Sequence, residues 1–365
     1  MNVLCDRETL RDALAVVNNV IPAKSTKPVL ENVNLVATND MLELVGTDLE
    51  VSVRYRIEDV KVTDPGPAVV PARVTLDFIR DLSGETVTLE TQDGKCRITS
   101  GTDTCELVTI DPDEFPVVPH FGSERTLSIQ GGRFTQLVQR TTFAAAREAG
   151  RYAMHGILTE VEDGVLRLVA TDGRRLALSE TPVEAKGTPK PAIIPTKGMQ
   201  LFSRVIEDPL DQIELNFDDN QVGMRTKNAE IFARLIDGDF PRYSAVIPKE
   251  VQYGMEADAG VLNQKLRLVA NVTGSEARAV RMSMETGKLE LFGQSVGRGE
   301  AHAHMEVDFK GEPSEIAFNP DYVVEGLKNC ESGVVRLEFN DKTSPGKFTL
   351  GENYVYIVMP ITIDT

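Results

Sequence analysis

Long apolar runs are missing from this chain of 365 residues. The longest, "YVYIVMPI" at 354–361, falls far short of the roughly 20 residues that cross a bilayer. The first dozen residues, "MNVLCDRETLRD", carry charge in place of an apolar leader, which predicts no secretory signal. Cysteine is scarce: Cys5, Cys96, Cys105 and Cys330 show no CxxC spacing, which argues against a thiolate metal site and fits a reducing cytoplasm. A hairpin near Ser100 and Gly101 would bring Cys96 towards Cys105, although two reduced thiols suit the composition better. No P-loop, GxGxxG or Ser-His-Asp spacing occurs, and "GQSVGRG" at 293–299 has the wrong intervals. No cofactor and no catalytic residue are predicted. Positive charge is also in deficit, with 39 basic against 56 acidic residues and a net charge of −17. An acidic protein repels polyanions unless its cations are gathered in one place.

What the chain does have is repetition. "LELVGTD" from Leu42 returns as "LRLVATD" from Leu166 and, weakened, as "LELFGQS" from Leu289. A second landmark moves in step: "VVPARVTLDFIRDL" from Val69, "IIPTKGMQLFSRVI" from Ile193 and "FNPDYVVEGLKNC" from Phe318. Proline suits the first helical position, so Pro71, Pro195 and Pro320 each predict a strand followed by an amphipathic helix. Another helix opens each copy, as in "DRETLRDALAVVNNV", where Leu10, Leu14 and Val17 form one apolar stripe. Turn signals such as "TQDGK", "VEDGV" and "METGK" punctuate the rest. Landmarks at a fixed period predict three alike α+β domains, 1–121, 127–248 and 253–365, each with two helices and about eight strands of antiparallel sheet.

The cations concentrate on the predicted helices. Residues 7–19, 73–82, 132–147, 197–206, 261–272 and 321–329 hold twelve basic and six acidic residues, so the remainder is net −23. Arg73 and Arg80 are seven apart, as are Lys197 and Arg204, and Arg133, Arg140 and Arg147. Seven residues are nearly two turns, which predicts a basic stripe along each helix. Neither a base-reading cluster nor an aromatic platform accompanies the stripes. They predict sequence-independent, salt-sensitive phosphate contact with a polyanion such as DNA.

With these residues assembled, the chain resembles the bacterial sliding clamp family, the beta subunit of DNA polymerase III. The resemblance runs from Met1 to Pro360 and is carried by "GTDLE", "VPAR", "ATDGRRLAL", "DGDFPRY" and "VMP". It implies a DNA-clamp fold whose three domains join those of a second copy in a closed ring, helices lining the hole. It implies a non-catalytic processivity factor in the cytoplasm: a homodimer around double-stranded DNA, opened by a clamp loader, tethering the replicative polymerase catalytic subunit and other repair and replication proteins.

Carried over residue by residue, the partner-peptide pocket comprises Met154, Thr171, Gly173, Arg174, Arg175 and Leu176, with Pro241, Val246 and Ile247 from a linker. Asn319, Tyr322, Ile357, Met359, Pro360 and Ile361 complete it. DNA contact falls to Lys24, Arg73, Arg147, Arg151, Tyr152 and Lys197, beside the stripe residues Arg133, Arg140 and Arg204. The dimer interface falls to Cys105 and Leu107 on an edge strand, with the third domain's helix near Val272. Three departures stand out: Arg174 where the family commonly has His, Ala153 where an aromatic residue is frequent, and the tail "ITIDT". Two rival readings compete: an enzyme using Asp172, Arg174 and Arg175, or the "DPDEFP" carboxylates at 111–116, on an acidic or sugar substrate, and a non-DNA scaffold built from the same repeat. His302 and His304 share one strand face as a candidate metal pair with no third ligand evident.

Overall fold

The computed structural model describes residues 1–147, 152–274 and 278–362. Its elements fall into three runs of one pattern. The first contains β1 (Asn2–Asp6), α1 (Arg7–Asn18), β2 (Asn32–Thr38), β3 (Met41–Thr47), β4 (Val51–Ile57) and β5 (Lys61–Asp64). It continues with β6 (Gly66–Pro71), α2 (Ala72–Asp81), β7 (Thr86–Gln92), β8 (Lys95–Ser100) and β9 (Asp103–Val108). The second contains β10 (Thr126–Gln130), α3 (Gly131–Thr141), β11 (Gly156–Glu162), β12 (Val165–Thr171), β13 (Arg175–Pro182) and β14 (Glu184–Lys186). Then come β15 (Ala192–Pro195), α4 (Thr196–Arg204), β16 (Gln212–Phe217), β17 (Gln221–Arg225) and β18 (Ala229–Arg234). The third contains β19 (Tyr253–Asp258), α5 (Ala259–Ala270), β20 (Val280–Glu285), β21 (Lys288–Ser295), β22 (Gly299–Glu306) and β23 (Asp308–Phe309). It closes with β24 (Ser314–Phe318), α6 (Pro320–Leu327), β25 (Val334–Phe339), β26 (Gly346–Gly351) and β27 (Tyr354–Val358). Among the described residues each repeat has nine strands rather than the expected eight. The extra one is the short fifth strand (β5, β14, β23), too brief to leave an alternating pattern.

Local chemistry explains the boundaries. Asp6 caps α1 by accepting from Thr9 N at 2.8 Å, and Asp258 caps α5 through Val261 N at 2.7 Å. Leu10, Ala13, Leu14 and Val17 are the buried stripe of α1, as Leu262, Leu266 and Val269 are of α5. The "DG" pairs Asp93-Gly94 and Asp163-Gly164 both take positive φ, the geometry of tight hairpin turns. Proline behaves less uniformly than expected. Pro320 opens α6, but Pro71 ends β6 as the cap residue of α2 and Pro195 ends β15.

Packing divides the chain differently from the repeats. Residues 1–132, 184–190 and 200–235 form one compact unit; 133–183, 191–199 and 236 onward form another. The first unit holds a five-stranded sheet, β5-β1-β7-β8-β9, and a nine-stranded sheet, β14-β10-β16-β17-β18-β4-β3-β2-β6. The second holds a nine-stranded sheet, β15-β11-β12-β13-β27-β26-β25-β19-β23, and a four-stranded one, β22-β21-β20-β24. Each nine-stranded sheet therefore crosses a repeat boundary, at β4–β18 in one unit and at β13–β27 in the other.

The two crossings share one register. Val51 to Tyr55 lie against Ala233 to Ala229, and Arg175 to Ser179 lie against Val358 to Tyr354. Both sets begin at the residue that closes a Thr-Asp turn. Among the described residues β9 pairs in a sheet with β8 alone and β22 with β21 alone, so these two strands are left as open edges.

Candidate functional site

The turn Thr171–Arg175 joins β12 to β13. Thr171 donates its hydroxyl to Arg175 O at 2.7 Å and accepts from Gly173 N at 3.1 Å. Asp172 Oδ1 accepts from Arg174 N and Arg175 N at 2.9 and 3.1 Å. The turn Thr47–Val51 repeats this pattern: Thr47 donates to Val51 O, and Asp48 Oδ1 accepts from Glu50 N and Val51 N. Asp172 is thus a turn-former, and the catalytic reading of Asp172, Arg174 and Arg175 loses its acid.

Arg175 is buried among partners. It pairs with Asp172 at 3.1 Å and with Glu325 of α6, donates to Phe143 O at 2.9 Å, and lies over the rings of Tyr322 and Phe143 at 4.6 and 5.6 Å. Burial works most strongly against its charge, but hydrogen bonding to Glu325 and the neighbouring Tyr356 and Glu325 charges together outweigh that and hold the guanidinium above its ordinary pKa. Arg175 therefore ties the turn to α6; its charge is already satisfied within the chain.

Around this tie lies a cavity of about 640 Å³, lined by Ala145, Ala146, Arg147, Asp172, Gly173, Arg174, Arg175, Asp321, Tyr322 and Glu325. Gly173 at φ 85° lets the backbone turn at its wall. Leu176, Ile247 and Ile357 join an adjoining apolar cluster with Leu158, Val169, Leu178 and Ile193, half covered by Phe240 and Tyr243. Val246 and Met359 remain exposed, Met154, Pro241 and Pro360 are half-buried, and Met359 N donates to Arg174 O at 2.8 Å. Asn319, expected in the pocket, caps α6 by accepting from Asp321 N at 2.9 Å.

Repeat one explains why the surface is open here. Its matching cluster, Val45, Val69 and Phe232, is roofed by the buried Phe115 and Val118 of its own linker. In repeat two the corresponding Phe240 and Tyr243 are only partly buried. Sequence reading missed Asp321, Glu325 and Phe143 at this site, because charge on a helix and a ring after it carry no local signal of convergence.

Ile361 has a second role that the sequence did not suggest. Its N–H donates to Ala317 O at 2.8 Å, as Ile236 N does to Ile193 O at 2.8 Å and Ile110 N to Val69 O at 3.0 Å. The same bond pins the exit of the last strand in all three repeats.

The basic stripe on α3 needs correction. The helix stops at Thr141, where Thr141 and Thr142 return their hydroxyls to Leu137 O and Val138 O. Arg147 lies beyond it on the cavity wall, and Arg140 is only 5% exposed, paired with Glu331 at 2.6 Å and stacked on Tyr354 at 5.1 Å. Arg140 is therefore structural. Arg133, Lys24, Arg73, Lys197 and Arg204 are exposed; Arg73 lies 4.0 Å from Asp77, and Arg204 donates to Asn19 at 2.7 Å. Tyr152 begins a short 3-10 turn, and Arg151 lies outside the described residues.

At the expected interface Cys105 and Val272 are half-exposed, whereas Leu107 is 8% exposed and packs into its own repeat. Cys96 faces Leu107, not Cys105, and all four cysteines are free thiols. His302 and His304 gather no third ligand, and among the described residues no three metal-ligating side chains meet.

Comparison with known proteins accounts for the whole arrangement. Models of the DNA polymerase III beta subunit match in order: the N-terminal domain over residues 1–119, the central domain over 128–242 and the C-terminal domain over 244–362. The chain belongs to this family. The beta sliding clamp of Pseudomonas putida is 30% identical over the full length of both chains, and that of Escherichia coli 28%. A crystal structure of a sliding clamp from Pseudomonas aeruginosa bound to griselimycin superposes with a TM-score of 0.96 at 28% identity, covering all of both chains. The molecule is thus a three-domain sliding clamp, a non-catalytic processivity subunit of DNA polymerase III. In this clamp the Thr-Asp turns are scaffold.

Proposed function

We propose that two copies of this clamp close head to tail into a ring around duplex DNA, each with domains 1–121, 127–248 and 253–365. The repeated junction register carries this reading. Ile231 faces Val53 across the first crossing and Tyr356 faces Ala177 across the second. On β9 the counterpart of Ile231 is Cys105: Leu89, Ile98 and Cys105 are successive cross-strand partners, as are Leu215, Met224 and Ile231. On β22 the counterpart of Val53 is Ala301, since Gly46 faces Val53 and Gly293 faces Ala301. The two open edges fit each other in the register already used twice, with Cys105 of one copy facing Ala301 of the next. Leu268 supports the same contact. It stands on α5 where Arg140 stands on α3, ten residues into the helix, yet is 54% exposed.

Lys24, Arg73, Arg133, Arg147, Lys197 and Arg204 then serve as loose phosphate contacts to the DNA, joined by Arg151 and Tyr152 from the family resemblance. Topology, not contact strength, holds the clamp, so these can stay weak enough for sliding. The cavity beside Arg174 and Arg175, with Leu176, Val246, Ile247, Tyr322 and Met359 around it, receives short apolar peptides of the replicative polymerase, the clamp loader and repair proteins. The cytoplasm suits four reduced thiols.

Retention on DNA tests the reading. The expected result is a particle of twice the chain mass by sedimentation, held on nicked circular DNA and lost when the circle is cut. A monomer, or equal retention on linear DNA, would overturn it.

A further inference from the structure

The open edge β22 carries two of the four histidines, His302 and His304, exposed on one face. His302 Nδ1 is 2.9 Å from Glu290 Oε1 on β21, and Glu290 stands directly opposite His304. That hydrogen bond holds the Glu290 carboxyl below its ordinary range. The same places in repeat one hold Arg54, Arg56 and Glu43. There Arg54 and Arg56 lie 3.2 and 3.3 Å from Glu43 and reach across the first crossing to Glu230, at 3.9 and 3.2 Å. Two arginines and two glutamates thus form a permanent charge network over that junction. The second crossing puts Leu178 against Val355 instead. At the third, the arginines have become histidines and the counterpart of Glu230 is Thr104.

We propose that closure of the ring depends on protons, with His302 and His304 holding the third junction when they are cations. The proposal rests on the ring reading above. In the shared register Thr104 of the partner copy faces His302, and its Glu106 faces Glu300. Directly opposed carboxylates weaken a sheet pairing, and a protonated His302 stands diagonally next to the partner copy's Glu106 and two residues from Glu300.

The other charges lie further off. On the same chain, Lys288 faces Glu306, and Arg281 stacks on Phe292 on the side away from the edge. Helix α5 packs on β22 beneath, where Ala303 and Met305 are buried. On β9's neighbour β8, Lys95 and Arg97 hold Glu106 from one strand further away. The nearest charge gained on closure is therefore negative, and closure raises the proton affinity of the histidines. By linkage the junction is tightest at low pH and loosens as pH rises through the histidine range, roughly 5 to 8.

The test is the dimer dissociation constant at pH 6 and pH 8 at one ionic strength. The full chain is expected to dissociate about tenfold more readily at pH 8. The double variant His302→Arg/His304→Arg restores the repeat-one charges and should stay tight at both values; His302→Gln/His304→Gln should stay weak at both. Equal constants for the unaltered chain at the two pH values would overturn the proposal, as would an arginine variant that keeps the full pH slope. A monomer at every pH and concentration would instead defeat the ring itself.

Discussion

Arg140 on α3 and Glu331, four residues past α6, form an ion pair of 2.6 Å whose arginine is buried against the ring of Tyr354. A residue spaced like a DNA contact is in this way diverted to hold repeat two against repeat three. Arg140→Ala should lower unfolding free energy by about 2 kcal/mol, less than a fully buried pair because Glu331 is half exposed. Arg133→Ala should leave stability alone and flatten the salt dependence of DNA retention by about one unit of slope. Chemical denaturation and salt titration of both variants separate the two roles.

Ala301→Cys offers a direct check of register. Oxidation should join it to Cys105 of the other copy, giving a covalent double-mass band on a non-reducing gel. Strands slipped by one residue would turn the thiols to opposite faces and leave the chain monomeric on that gel.

Leu268→Asp is expected to give monomers by light scattering with little change in melting temperature, since the residue is exposed in the single chain. Leu107→Asp behaves differently. Its side chain is buried in its own repeat, so the charge should destabilise the fold itself by about 3 kcal/mol.

Thiol accessibility follows from burial. Burial pushes the Cys5 thiol up to about 12 and Cys96 up to about 11, while Cys105 and Cys330 are partly exposed. At pH 8 an aromatic disulfide reagent should label Cys105 and Cys330 in the separated chain, Cys330 alone in the closed ring, and all four thiols after unfolding. Rapid reaction of all four in the native state would contradict the packing of β1 and β8.

The tail separates pocket from scaffold. Met359→Ala, at a side chain 37% exposed, should weaken binding of an apolar partner peptide about tenfold with the fold intact. Deleting everything from residue 359 also removes the Ile361–Ala317 bond, so that deletion should lower the melting temperature as well. Fluorescence polarisation alongside thermal unfolding distinguishes them.

Much of the fold was legible because its landmarks repeat. "GTD" and "ATD" mark turns built atom for atom alike, and the leucines of α1 and α5 show their buried faces. Fifth strands of two to four residues were not legible, being too short for alternation. At the site, spacing alone could not tell Arg133 from Arg140. Both fit a seven-residue stripe, but burial was decided by Tyr354 and Glu331, far away in sequence. Similarly, Arg174 and Tyr322, named through the family resemblance, both line the cavity, whereas the tie from Arg175 to Glu325 depends on how β13 meets α6.

The middle repeat gives its β10 and β16–β18 half to a sheet with repeat one and its β11–β13 half to a sheet with repeat three. By repeat the chain has three modules, but its sheets group into two compact units, and the boundary along the chain falls inside the middle module. A fragment cut at the homology borders would expose β13 and β18 as raw edges. Dissection should therefore follow the sheets.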